Sequence, residues 1–352
     1  MERPNDPIFN HKARLMLPDN TIAIKTIDLH TEGEPFRVII EGFPKVLGNT
    51  ILEKRKYTKE NLDHLRKALM WEPRGHADMY GCILTQPVSE NANFGILFIH
   101  NEGFSTMCGH GIIAITVCVL QASLIPIVSP ITPLAIDTPA GLVHSFARIQ
   151  NGQVESVYFH NVPSFVLSLD DTIEIENLGR VKYDVAFGGA FYAYVDAKQL
   201  NLKLTADNCK ILIETGMVIK RAVMKQREIT HPIEADLSFL YGVIFTDAPE
   251  NESNFSRHVC IFADGEVDRS PTGTGVSARL ALCYARKEIN INQEVVIESI
   301  LGTTFTGKVH ATTKFESYDA IIPQVGGTAF ITGKHKFLIN PEDPLKHGFF
   351  LR

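Results

Sequence analysis

Met107-Cys-Gly-His-Gly-Ile-Ile-Ala-Ile-Thr-Val-Cys-Val-Leu120 and Pro271-Thr-Gly-Thr-Gly-Val-Ser-Ala-Arg-Leu-Ala-Leu-Cys-Tyr-Ala285 are the two stretches that decide how this chain folds. Each is a turn of small residues followed by a segment apolar on almost every side. A helix of that kind is buried within other structure rather than laid on a surface. Around the two run short stretches rich in Val, Ile, Phe and Tyr, bounded by Gly, Pro, Asn or Asp. They are Arg37–Ile40, Gly95–Ile99, Tyr192–Val195, Gly242–Phe245, Val295–Ile300 and Ala329–Thr332. This composition reads as strands, so the two helices are expected to be wrapped by sheet. More amphipathic helices are expected at Lys59–Met70 and Ala206–Met224.

The two helices also read as copies of one unit. Cys108 pairs with Thr272, Phe36-Arg-Val-Ile with Phe191-Tyr-Ala-Tyr, and the turn Ala140-Gly141 with Leu301-Gly302. Each pair is separated by roughly 160 residues, in the same order, which argues for a duplicated half. The boundary is expected near residue 183: residues 1–183 carry the Cys108 helix and 184–334 the Thr272 helix, with 335–352 available to complete the first half.

At 352 residues the chain has room for two ordinary domains, and 45% hydrophobic with 21% charged residues is the make-up of a folded globular protein. The net charge is −6 with both signs mixed along the chain, which excludes a nucleic-acid-binding face. The six cysteines (Cys82, Cys108, Cys118, Cys209, Cys260, Cys283) form no CxxC pair and no metal-ligand spacing. They read as free thiols in a reducing compartment, the cytoplasm, with Cys118 and Cys283 in the core. Met1-Glu-Arg-Pro-Asn-Asp6 lacks the basic-then-apolar order of a signal peptide and reads as a polar arm. Gly111–Ile136 is uncharged and long enough to cross a bilayer. Pro126, Pro130 and Pro133, with Gln121, Ser123 and Ser129, make it a core helix followed by a proline-rich connection instead.

The helix starts carry the chemistry. Glycine lets the backbone approach a ligand, and the unpaired N–H groups of a helix start favour an anion. Two such starts facing one cleft would grip a single carboxylate. A thiol there, Cys108, is expected to have its pKa lowered from about 8.5 by the helix dipole, although a cysteine in apolar surroundings also reads as an inert core residue.

Five blocks then take the reading further: Asp28-Leu-His-Thr-Glu-Gly-Glu-Pro35, Glu72-Pro-Arg-Gly-His-Ala-Asp-Met-Tyr-Gly81, Asn101-Glu-Gly-Phe-Ser-Thr-Met-Cys-Gly-His-Gly111, Asp137-Thr-Pro-Ala-Gly141 and Asp268-Arg-Ser-Pro-Thr-Gly-Thr-Gly275. In this order they resemble the proline racemase superfamily, which includes hydroxyproline 2-epimerases and trans-3-hydroxy-L-proline dehydratases. The resemblance implies an α+β fold of two similar halves, each a β-barrel-like sheet around a central helix, as in diaminopimelate epimerase, with the substrate in the cleft between them. It implies Cys108 as a catalytic base, and substrate contacts from Gly109, His110, Gly273 and Thr274. Asp268 would pair with the imino nitrogen. The racemases and epimerases carry a second cysteine where this chain has Thr272. A threonine hydroxyl is too weak an acid to serve as an alkoxide base near neutral pH, so a proton could not be returned to the opposite face. Elimination needs one base only. The Cys/Thr pairing resembles the dehydratases, which convert trans-3-hydroxy-L-proline to Δ1-pyrroline-2-carboxylate and water. His110 is the candidate to protonate the departing hydroxyl. The resemblance implies no cofactor and no metal. The partner is a small imino acid, with neither nucleic acid nor membrane, and a homodimer is compatible with it. Racemisation or epimerisation through some other acid at the Thr272 face, and non-catalytic imino-acid binding, are the alternatives.

Other patterns lead elsewhere. Gly273-Thr-Gly-Val-Ser-Ala278 fits a dinucleotide fingerprint but follows a polar loop rather than a buried strand. His30-Thr-Glu-Gly-Glu34 lacks the second histidine of a metalloprotease helix. Glu72–Asp78 reads as a structured turn, and no role is expected for Arg74 or His76.

Overall fold

A computed structural model describes residues 15–351; the expected polar arm at Met1–Asp6 lies outside them. The first half is built from strands β1 (Ile22–Thr31), β2 (Glu34–Glu41), β3 (Tyr80–Thr85), β4 (Phe94–His100), β5 (Ile131–Thr138), β6 (Gly141–Gln150) and β7 (Gln153–His160). Helices α1 (Ile51–Asn61), α2 (Asp63–Met70) and α3 (Gly109–Gln121) lie among them. The second half has β8 (Ser164–Ile175), β9 (Gly179–Phe187), β10 (Phe191–Asp196), β11 (Leu240–Asp247), β12 (Ser256–Phe262), β13 (Glu266–Val267), β14 (Val295–Glu298), β15 (Thr304–Phe315) and β16 (Tyr318–Gly327). Its helices are α4 (Cys209–Gln226) and α5 (Gly273–Ala285), and β17 (Ala329–Ile339) then returns to the first half.

The duplication is explicit in the strand pairing. The first half runs β17–β1–β2–β3–β4–β5–β6–β7, with β2–β3 and β4–β5 parallel and every other step antiparallel. The second runs β8–β9–β10–β11–β12–β14–β15–β16, with parallel steps at the same two places, β10–β11 and β12–β14. Parallel neighbours need a crossover, and helices supply it. α1 and α2 bridge the first parallel step and α4 its copy, while α3 and α5 bridge the second. Phe36 and Phe191 sit in the matching strands β2 and β10, and both glycine turns sit between matching strands. β16 joins the halves, pairing with β7 through Gln324–Gly327 and with β8 through Ala320–Ile321.

Every residue of α3 from Gly109 to Leu120 is buried, and α5 is buried apart from Arg279, Tyr284 and Ala285. α3 rests on β1, β2, β6, β7, β16 and β17; α5 rests on β8, β9, β10, β15 and β16. These contacts correct the expected boundary at 183. That position falls inside β9, which pairs with β8 and β10 against α5, so we place the change of half at residues 161–163. The return to the first half begins at Ala329 rather than at residue 335. Among the described residues no helix is long and apolar enough to cross a membrane. Gly111–Ile136 is most of α3, a connection and most of β5. Pro133 lies within β5 with its side chain outward, rather than in the connection.

Helix formation at α1 begins earlier than periodicity suggested. Thr50 Oγ1 accepts the N–H of Glu53 at 3.1 Å, and Glu53 Oε2 accepts the N–H of Asn49 at 2.7 Å, which fixes the first turn at Ile51. Leu62, with φ −124°, separates α1 from α2.

Candidate active site

The two buried helices meet start to start. A Cβ placed on Gly109 would stand 2.5 Å from the Cα of Gly273, and one on Gly273 would stand 2.6 Å from the Cα of Gly109. Only glycine on both sides permits this approach, and it aims both sets of unpaired helix N–H groups at one place. A small cavity covers the junction. Cys108, Gly109, His110, Asp268, Thr272, Gly273 and Thr274 line it from the helix starts, and Tyr80, Tyr192, Tyr241, Cys260 and Phe262 from the strands. The structure therefore brings together every site residue expected from the sequence.

Cys108 caps α3 in extended conformation (φ −144°, ψ 109°), and its Sγ accepts the N–H of Gly111 at 3.2 Å. Sγ lies 3.3 Å from Nδ1 and 3.4 Å from Nε2 of His110, near-equal distances that show the sulfur facing the ring between its nitrogens. His110 Nδ1 is 3.9 Å from Asp268 Oδ2, and Asp268 Oδ1 accepts the N–H of Ser270 at 2.8 Å. Thr272 caps α5 with φ 65°, a conformation that costs a β-branched residue of order 1–3 kcal/mol. Its Oγ1 faces Asp268 and Cys260, yet neither contact has hydrogen-bond geometry and the atom is left without a partner. Tyr192 holds Thr274 through a 2.7 Å hydroxyl contact.

Burial sets the proton affinities. It takes His110 down to about 3, so the ring is neutral at physiological pH. It lifts Asp268 to about 6, against the hydrogen bonds of Ser270. Burial also pushes the Cys108 thiol up, opposed by the Gly111 N–H and reinforced by the charge of Asp268. This corrects the expectation of a lowered thiol: the helix start does favour the thiolate, but in the closed cavity desolvation is the larger effect.

Several participants were missed. Tyr80 and Asp78 lie in the quoted block Glu72–Gly81, and Glu34 in the block Asp28–Pro35, but nothing local marks them as inward-facing. Glu34 Oε2 accepts the backbone N–H of Arg269 at 2.7 Å, and Asp78 pairs with the Arg269 side chain at 2.8 Å. Two acids of the first half thus hold the second-half loop that carries Asp268. Burial, then the nearby Asp268, pushes the Glu34 carboxyl up. Cys260 is a second thiol in the cavity, on the Thr272 side. The rest of Glu72–Asp78 is structural: Arg74 binds the carbonyls of Leu338 (3.4 Å) and Lys346 (3.3 Å). The apparent dinucleotide fingerprint at Gly273–Ala278 follows the two-residue strand β13 and a loop, and its glycines serve the helix junction instead.

A family model described as "Proline racemase" matches residues 26–350. The chain is 48% identical over 334 residues to the trans-3-hydroxy-L-proline dehydratase of Colwellia psychrerythraea, covering 95% of this chain and 94% of that one. It is 40% identical to the proline racemase of Clostridioides difficile, covering 94% and 98%. Among solved structures, a hydroxyproline epimerase from Agrobacterium vitis with bound trans-4-hydroxy-L-proline superposes with a TM-score of 0.89 at 32% identity, covering 94% and 96%.

Proposed function

The chain belongs to the proline racemase family, and from that premise we propose that it removes water from trans-3-hydroxy-L-proline to give Δ1-pyrroline-2-carboxylate. One observation carries the reading: a single cavity has an ionisable sulfur, Cys108, at one helix start and an unreactive hydroxyl, Thr272, at the other. The substrate carboxylate sits on the N–H groups of Gly109, His110, Gly273 and Thr274, where two helix dipoles add. The cationic ring nitrogen pairs with ionised Asp268. That positive charge acidifies the α-carbon and, entering a cavity that disfavours isolated charge, favours the thiolate of Cys108. Cys108 takes the α-proton. No thiol at the Thr272 position returns one to the far face, and loss of the β-hydroxyl follows. The enamine formed first tautomerises to the imine unaided.

Inversion at the α-carbon has one observation in its favour, the Cys260 thiol on the Thr272 side of the cavity. Burial raises both thiols, but Cys108 accepts the Gly111 N–H at a helix start whereas Cys260 lies within β12, and Thr272 caps the helix at the place where the family's second cysteine would stand. Incubation with the isomers of proline, 3-hydroxyproline and 4-hydroxyproline separates the two. The expected result is a cyclic imine, trapped with o-aminobenzaldehyde, from the trans-3-hydroxy-L isomer and no D-epimer from any L isomer. D-epimers without imine would overturn the reading. Six unpaired thiols suit a reducing cytoplasm as the place of action.

A further inference from the structure

The hydroxyl that leaves must acquire a proton, and the donor is a separate question resting on the dehydratase reading. In trans-3-hydroxy-L-proline the hydroxyl is trans to the carboxylate, which puts it on the same ring face as the α-hydrogen. It therefore departs on the Cys108 side of the cavity, away from Thr272. His110 is neutral, and its ring lies between Cys108 and Asp268, on the side of the imino nitrogen. A substrate carboxylate on the helix starts and a ring nitrogen on Asp268 would leave C3 toward the remaining lining, which includes Tyr80, Tyr241 and Phe262.

We propose that Tyr80 donates the proton to the leaving hydroxyl. Tyr80 stands on β3, lines the cavity beside Cys108, and is locked in place by ring contacts to Phe36 (6.3 Å), His100 (5.4 Å) and His110 (4.9 Å). Its hydroxyl bonds to Ser105 Oγ and, across the two halves, lies 3.1 Å from the hydroxyl of Tyr241. It shares the lining of one small cavity with Cys108. The proton circuit closes. The C2–H proton passes to sulfur, and its electron pair forms the C2=C3 bond as C3–O breaks. The departing oxygen takes the Tyr80 proton and leaves as water. The new Cys108 S–H then reprotonates the phenolate, restoring thiolate and phenol. Tyr241, as donor to the phenolate, steadies the intermediate state. Burial keeps the Tyr80 phenol protonated at rest, so the proton is in place when the hydroxyl departs.

The test compares two leaving groups in Tyr80→Phe. With trans-3-hydroxy-L-proline, kcat is expected to fall about 100-fold or more with KM little changed. With trans-3-fluoro-L-proline, whose fluoride needs no proton, the loss is expected to stay within about 5-fold, because the base is intact. Equal losses on both substrates, or unchanged dehydration, would overturn the role of Tyr80. If wild-type protein eliminates from neither substrate, the dehydratase reading has failed and this proposal with it. Should Tyr80→Phe not fold, Tyr241→Phe is expected to show the same contrast at about 10-fold on the hydroxy substrate; equal effects there overturn the circuit.

Discussion

The Cys108 and Thr272 helix starts occupy matching places in matching halves, yet they do different work. Cys108 sits in relaxed extended backbone and binds its own helix through Gly111. Thr272 holds a left-handed conformation with its hydroxyl unpaired, an arrangement that local energetics alone would not select. Matching helix starts thus carry a thiol at one place and, at the other, a hydroxyl with no acid–base use near neutrality. On the dehydratase reading, the geometry would hold both faces of a ring while the chemistry acts on one.

The largest effect is expected from Cys108→Ser. Serine remains a good helix cap, so the unfolding midpoint should hold, while turnover is expected to fall about 10³-fold or more. Retained turnover would remove Cys108 as the base. Next is Gly273→Ala, which keeps both caps but drives a methyl against Gly109. Parting the helix starts should cost about 100-fold in kcat/KM and roughly 1–3 kcal/mol of stability, read by kinetics and denaturant melts; an active, stable variant would show that their contact is dispensable.

A third test uses pH. Asp268 must be charged to hold the cationic nitrogen, and its pKa is lifted to about 6. Below that value kcat/KM should fall about tenfold per pH unit, whereas an unperturbed carboxyl would hold its charge to about pH 4. Stability runs the other way. The folded state binds this proton more tightly than the unfolded chain, so the group's contribution is fully present below the unfolded pKa and is lost as pH rises through about 6. A flat rate profile between pH 5 and 7 would remove Asp268 from the nitrogen site. Smallest in rate is Thr272→Cys, which makes the two starts alike. Inversion of L-proline, absent beforehand, should become detectable by chiral chromatography; its continued absence would show that residue type alone does not separate the two faces.

What the sequence disclosed follows from distance along the chain. Cys108, Gly109, His110, Thr272, Gly273 and Thr274 lie within a turn of a helix start, and a buried helix announces itself by composition, so these were legible together. Asp268 was reachable through its motif. Tyr80, Tyr192, Tyr241 and Cys260 arrive on four separate strands, and whether each faces the cavity depends on pairing register, which no short stretch encodes. The boundary was misplaced for the same reason: β8 declares its half only by pairing with β9 and β16. The direction of the Cys108 shift was hidden because desolvation depends on how tightly that aromatic wall closes.

The return of β17 to pair with β1 has a consequence for biogenesis. A ribosome that has produced everything through Gly327 has made the base, its helix and nearly all of the surrounding sheet, but β1 still presents an open rim along its outer side. The sheet that α3 packs against is complete only once Ala329–Ile339 has emerged. An N-terminal piece released before that point would carry Cys108 on a half whose sheet lacks its last strand.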